Sequence, residues 1–208
     1  MRLFLFILAA LLAGCAATPS RPPVADVDAA WRERQTVLAR VTDWDLRGRV
    51  ALRTGDEGFH ISLQWLREAG RHRIDLSGPL GGGRVRLIQN ENGAELRDAD
   101  DKVYRDSSMQ RLLRRRTGLE MPIEGMNFWV LGLPAPGAAA KIELDEWGRL
   151  KTMQQQGWDI RFIEYADYDG YELPNRVFAK RSSIDDGSEK MIEIRLIVEK
   201  WIFAKAKS

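Results

Sequence analysis

From Trp44 onward the chain alternates apolar and polar residues with a period of two. In "DLRGRVALR", Leu46, Gly48, Val50 and Leu52 fall on one side, and Arg47, Arg49 and Arg53 on the other. In "FHISLQW", Phe59, Ile61, Leu63 and Trp65 oppose His60, Ser62 and Gln64. "RHRIDLS" sets His72, Ile74 and Leu76 against Arg73 and Asp75, and "RVRLIQ" sets Val85 and Leu87 against Arg84 and Arg86. Near the C-terminus, Ile192, Ile194, Leu196 and Val198 repeat the pattern. Successive side chains of a strand point to opposite faces, so each stretch is a strand with one face buried and one wet. Such strands build antiparallel sheets, joined here by short polar turns. "AELRD" and "KVYRD" read as two more strands.

Two regions break the alternation. Val27, Trp31, Leu38 and Val41 are spaced as on a helix, which Asp28 can cap. In the middle, Ser107 or Ser108 can cap "MQRLLRRRTG", where Met109, Leu112 and Leu113 follow the 3.6 period and Gly118 ends it. Pro122 suits the start of a second apolar helix, "IEGMNFWVLGL", which "PAPG" breaks. Helix, strands, helices, strands is an α+β order. One long antiparallel sheet with helices against a single face satisfies it. No repeat of solenoid length occurs.

The N-terminus carries a different signal. "MRLFLFILAALLAGC" has a positive charge, an apolar run and then small residues, the layout of a secretory signal peptide too short to span a bilayer. Its end, Leu12-Ala13-Gly14-Cys15, resembles the bacterial lipobox. That resemblance implies cleavage before Cys15, acylation of Cys15, and, with Ala16 rather than Asp next, residence in the outer membrane facing the periplasm. Cys15 is also the only cysteine, so no internal disulfide competes for it. The expected organisation is a signal peptide over residues 1–14, a lipidated cysteine and Pro/Ala-rich linker over 15–25, and one folded domain over 26–208.

Little in the remainder suggests bond-making chemistry. His60 and His72 are the only histidines, and they lack metal-ligand spacing. Asp100–Asp101 and Asp185–Asp186 read as solvated turns. "GPLGGGRV" lacks the Gly-Lys-Ser/Thr of a phosphate loop and precedes a strand. No cofactor or metal is expected. A net charge of +2, with no basic stripe beyond the wet helix face "RLLRRR", gives no ground for nucleic acid as a partner. Leu80 is the oddity: a bulky apolar residue amid Ser77, Gly78, Pro79 and three glycines has no evident place in a core.

Several stretches in order, "LRGRVAL", "LQW", "SGPLG", "GLEMPIEGMNFWVLGLP", "LDEWGRL" and "GWDIRFIEYADYDGYELPNRV", are similar to segments of the LolB family of outer-membrane lipoprotein receptors. The resemblance runs from about Trp44 to Trp201. It implies an unclosed antiparallel β-barrel, a strongly curved sheet, with a helical lid over an apolar cavity. It also implies a task without enzymatic chemistry: accepting acylated lipoproteins from a LolA-like periplasmic carrier and releasing them into the inner leaflet of the outer membrane. Exposing an acyl chain to water costs roughly 0.8 kcal/mol per CH₂, or on the order of 12 kcal/mol for a chain of about sixteen carbons. Cargo must therefore pass from one apolar surface to the next. The expected acyl-contacting residues are Leu46, Val50, Ile61, Leu63, Trp65, Ile74, Leu76, Phe128, Trp129, Ile194 and Leu196. By the same resemblance Leu80 is the membrane-directed loop residue, and a monomer is expected. Two other readings stay open at this stage: a hydrolase acting on cell wall, with carboxylates converging in a polar cleft, and a scaffold lipoprotein with no cavity.

Overall fold

The computed structural model describes residues 21–78, 83–185 and 188–204. Its frame is one eleven-stranded, wholly antiparallel sheet. Strands β1 (Trp44–Thr54), β2 (Glu57–Glu68), β3 (Arg71–Ser77), β4 (Val85–Asn90), β5 (Gly93–Arg97) and β6 (Val103–Asp106) run as a meander. A second meander follows: β7 (Ala140–Leu144), β8 (Leu150–Gln155), β9 (Trp158–Tyr168), β10 (Tyr171–Asp185) and β11 (Ser188–Phe203). β11 returns to pair with β1 and joins the two halves. The spatial order is β6-β5-β4-β3-β2-β1-β11-β10-β9-β8-β7, so β6 and β7 are free edges and the barrel stays open. Both edge strands are short, which limits pairing with other chains.

The alternation read from the sequence fixes which face is buried. Along β1, Trp44, Leu46, Gly48, Val50 and Leu52 are buried in turn. Gly48 sits where the register between β1 and β11 shifts, and a Cβ there would stand 2.3 Å from the carbonyl oxygen of Ile197. Only glycine permits that approach.

Three helices are present among the described residues: α1 (Val27–Leu38), α2 (Met109–Thr117) and α3 (Ile123–Trp129). The cap of α1 is Asp26, whose Oδ1 accepts from the Ala29 N–H at 2.8 Å, and not Asp28, which lies inside the first turn. α2 begins at the Ser108 cap and stops at Gly118, whose φ of 72° is left-handed. The apolar run after Pro122 makes a shorter helix than its composition predicts. α3 ends at Trp129, and Gly132 then turns with φ of 73° against Pro174 and Tyr165. Pro174 itself lies inside β10, before the stretch where β10 pairs with β11, so its missing N–H interrupts no bond to that neighbour.

α1 closes one end of the sheet. Trp31 and Leu38 are buried, and the turn at Gly148 packs on Ala30. Beside it, Arg34 and Arg149 flank the Tyr165 ring at 5.1 and 4.4 Å, while the Tyr165 hydroxyl donates to the Leu150 carbonyl at 2.7 Å. Burial holds that phenol protonated far above its ordinary range. Arg149 pairs with Asp145 and Glu172 at 2.7 and 2.6 Å.

Candidate functional site

The concave face of the sheet is a continuous apolar surface. Leu46 lies opposite Trp65, Val50 opposite Ile61 and Leu196, Leu63 opposite Leu76, Trp65 opposite Ile74, and Leu52 opposite Ile194. The fold thus brings every strand residue expected from the sequence onto one face. Leu46, Val50, Leu63, Trp65, Ile74, Leu76, Ile194 and Leu196 are buried there, and Ile61 is partly buried. From α3, Trp129 is fully buried and Phe128 packs partly against the same core.

The surface extends beyond those expectations. Trp44 stands edge-on to Trp65 at 5.4 Å and to Trp201 at 5.3 Å. Leu150, Met153, Ile160, Phe162 and Val177 extend it across the second meander. The same period-two signal marks them, since Ile160 and Phe162 alternate with charged neighbours. Trp65 Nε1 donates to His72 Nδ1 at 3.1 Å. The indole N–H groups of Trp44 and Trp201, by contrast, are buried with no acceptor among the described residues. A lone buried donor costs about 1–3 kcal/mol.

α2 and α3 lie in the connection between the two free edges and cover the concave face. α2 turns Met109, Leu112 and Leu113 inward, and α3 contributes Met126 and Trp129. The arginines of α2 face outward and are largely engaged. Arg111 and Arg115 pair with Asp106, Arg114 with Glu120 at 3.6 Å, and Arg116 lies over the Tyr104 ring at 3.7 Å. The Arg111 guanidinium holds the Asp106 carboxyl well below the usual carboxylate range.

Two attachments fix the lid to the second meander, and they differ in kind. Gln155, at the end of β8, is 2% exposed. It accepts from Trp129 Nε1 and from the Ala135 N–H, both at 2.9 Å, and donates to the carbonyls of Ala135 and Ala138 at 2.8 and 3.0 Å. The other attachment is charged and only partly buried: Glu120, between the helices, meets Arg181 of β10 at 2.8 Å, and Arg181 lies over the Trp158 ring at 4.8 Å. A crevice of about 180 Å³ runs along this seam, lined by Ser108, Arg114, Glu120, Met121, Trp158 and Arg181 among others.

The apolar hollow expected over the sheet is occupied by lid side chains in this closed arrangement. The roomier hollows lie on the convex face, where charged side chains rim floors that are partly apolar. One of about 710 Å³ is walled by Lys141, Glu143, Asp159, Arg161, Lys180 and Arg195. Cys15 and Leu80 lie outside the described residues. Of the carboxylate pairs, Asp100 and Asp101 sit in the β5–β6 turn, where Asp98 Oδ1 accepts from the Asp100 and Lys102 N–H groups.

An open antiparallel half-barrel, with an apolar concave face under a helical cover, defines a receptor for an apolar ligand. A model of the family described as outer membrane lipoprotein LolB matches residues 42–201, and the chain belongs to that family. An outer-membrane lipoprotein LolB of Nitrosococcus oceani is 34% identical over 192 residues, covering 92% of each chain. One from Pseudomonas paraeruginosa is 34% identical over 206 residues, covering 97% of each. Among solved structures, a LolA superfamily protein from Nitrosomonas europaea aligns with a TM-score of 0.56 at 8% identity, covering 88% of this chain and 96% of that one. A lipoprotein-sorting protein domain from Vibrio parahaemolyticus aligns at 0.51 and 10% identity, covering 88% and 95%. These last two share the fold.

Proposed function

We propose that this outer-membrane lipoprotein accepts acylated lipoproteins from a LolA-like periplasmic carrier and releases them into the inner leaflet of the outer membrane, acting as a monomer and without covalent chemistry. The observation that carries the reading is the concave face itself: a broad apolar surface covered by a helical lid rather than by strands. Acyl chains displace the lid and take the places its side chains hold in the closed form. The lid opens at the Glu120–Arg181 seam, where its attachment is polar and partly wet, and stays hinged at the buried Gln155. Leu46, Val50, Leu63, Trp65, Ile74, Leu76, Ile194 and Leu196 then line the acyl site, with Ile61, Phe128 and Trp129 at its border. The free indole N–H groups of Trp44 and Trp201 suit the ester carbonyls at the head of the chains. Cys15 is the acylated anchor, residues 15–25 the tether, and Leu80 the residue that meets the bilayer. Because contact with hydrocarbon is non-directional, one such surface accepts chains of differing length.

The test is a transfer experiment. A lipoprotein loaded on the soluble carrier is mixed with this protein reconstituted in vesicles, without nucleotide, and the acylated cargo is followed by pull-down and flotation. Movement of cargo from carrier to this chain and then to the vesicles is the expected result. Cargo that stays on the carrier while both proteins are folded would overturn the reading.

A further inference from the structure

The convex face of the first meander carries an ordered array of side chains. The sheet register places Ser77, Ser62 and Arg49 in one row across β3, β2 and β1, and Arg84, the residue before β4, lines the same hollow. The next row is Arg86, Asp75, Gln64 and Arg47. Arginines therefore stand on both sides of the hollow, and small or polar residues floor the middle. Three strand spacings separate the arginine columns, about 14 Å. The result is a hollow of about 430 Å³.

Its charge is unbalanced. Four guanidinium groups line the hollow against two carboxylates, Asp75 and Glu199. Asp75 is taken by Arg86 at 2.6 Å and Arg73 at 3.4 Å, Glu199 by Arg49 at 2.6 Å, and Arg47 meets Asp45, beside the hollow, at 3.5 Å. Arg84 has no ion-pair partner among the described residues, and the Ser62 and Ser77 hydroxyls make no side-chain hydrogen bond there. Free hydroxyls between guanidinium forks match the oxygens of a phosphate. The hollow is concave and of headgroup size, whereas a stable protein partner needs about 800 Å² of its own surface.

We infer that this trough binds the phosphate of an anionic glycerophospholipid headgroup. The inference deepens the proposed function, because Ser77 and Arg84 border the β3–β4 connection that carries Leu80. It gives the protein a second, polar hold on the bilayer beside that loop. It also makes headgroup charge a determinant of where cargo is released.

The direct test does not depend on transport. The full lipidated chain in maltoside micelles is titrated with dihexanoyl phosphatidylglycerol and, separately, with dihexanoyl phosphatidylcholine, and binding is read from the phosphorus-31 line width. Phosphatidylglycerol is expected to bind about tenfold more tightly, and Arg47→Gln with Arg84→Gln to remove that preference while thermal unfolding is unchanged. Ser62→Ala with Ser77→Ala, which alters no charge, is expected to weaken binding roughly threefold. Equal affinity for the two lipids, or an unaltered preference in the arginine variant, would overturn the inference. So would complete competition by equimolar inorganic phosphate. An arginine variant that keeps phosphatidylglycerol binding but loses uptake from the carrier would assign the trough to an acidic protein instead, and the inference would fall.

Discussion

Burial pulls the His72 imidazole down to about 4, with the nearby Arg67 adding to the shift. Its neutral form is also the one that accepts from Trp65. The unfolded chain takes up this proton near pH 6.5 and the folded chain only near 4. The stability tied to neutral His72 is thus complete above about pH 6.5 and is lost as pH falls toward 4. The ring is partly wet, so the effect is roughly 1–3 kcal/mol. His72→Gln keeps an acceptor for Trp65 but does not titrate. Urea unfolding at pH 7 and pH 4.5 is expected to show a smaller acid loss in the variant; parallel losses would contradict the assignment. In the proposed function Leu80 carries a second effect at the scale of one residue. Burying one leucine in lipid gains about 1.5–3 kcal/mol, too little to anchor the protein but enough to alter a rate on the order of 10- to 100-fold. Leu80→Glu is expected to leave uptake of cargo from the carrier unchanged and to slow its appearance in vesicles by that factor. Insertion at the normal rate would remove Leu80 from the mechanism.

At the scale of elements, the lid's two attachments make opposite predictions. Gln155→Leu strands Trp129 Nε1 and the backbone groups of Ala135 and Ala138 in a buried site, at about 1–3 kcal/mol for each group left unpaired. It is expected to lower stability by roughly 2–4 kcal/mol in urea. Glu120→Gln weakens a partly buried pair, at about 1 kcal/mol, so stability is expected to fall little while uptake of a fluorescent fatty acid speeds up. Slower uptake would mean that the seam is not where the lid opens. The sequence makes the strands and helices legible because alternation, caps and Gly118 are local signals. It does not reveal Gln155, because "MQQQG" reads as a polar strand end and its partners lie in a loop twenty residues earlier. The pairing of β1 with β11 is likewise set by contacts across the whole chain. The filled interior was not readable either, since a period of two names the buried face but not what covers it. The cap at Asp26 rather than Asp28 shows the same limit at short range, where two acids two residues apart offer the same signal.

At the scale of the molecule, tether and loop leave from opposite ends of the strands. Arg21 is held at the β7–β8 turn: its carbonyl accepts from Trp147 Nε1 at 3.2 Å and its guanidinium meets Glu172. Ser77, which leads toward Leu80, lies at the other end of β3, about 20 Å along the strand. Six residues from Cys15 to Arg21 span at most about 20 Å. If Cys15 is in the bilayer and Leu80 touches it, an upright barrel would need the tether almost fully stretched, at a cost in chain entropy. An oblique or recumbent barrel needs no such stretch, and it can bring the convex arginine face toward the headgroups. Tether length then separates the two orientations. Deleting residues 17–20 shortens the reach to roughly 7 Å and pins the Arg21 end to the surface. An upright barrel could then not bring Leu80 to the bilayer, whereas a recumbent one could, so this variant is expected to take up cargo and to insert it at the normal rate. Insertion slowed several-fold, and recovered when four residues are restored as Gly-Ser-Gly-Ser, would be the mark of an upright barrel on a stretched tether. That outcome would show the recumbent orientation to be wrong.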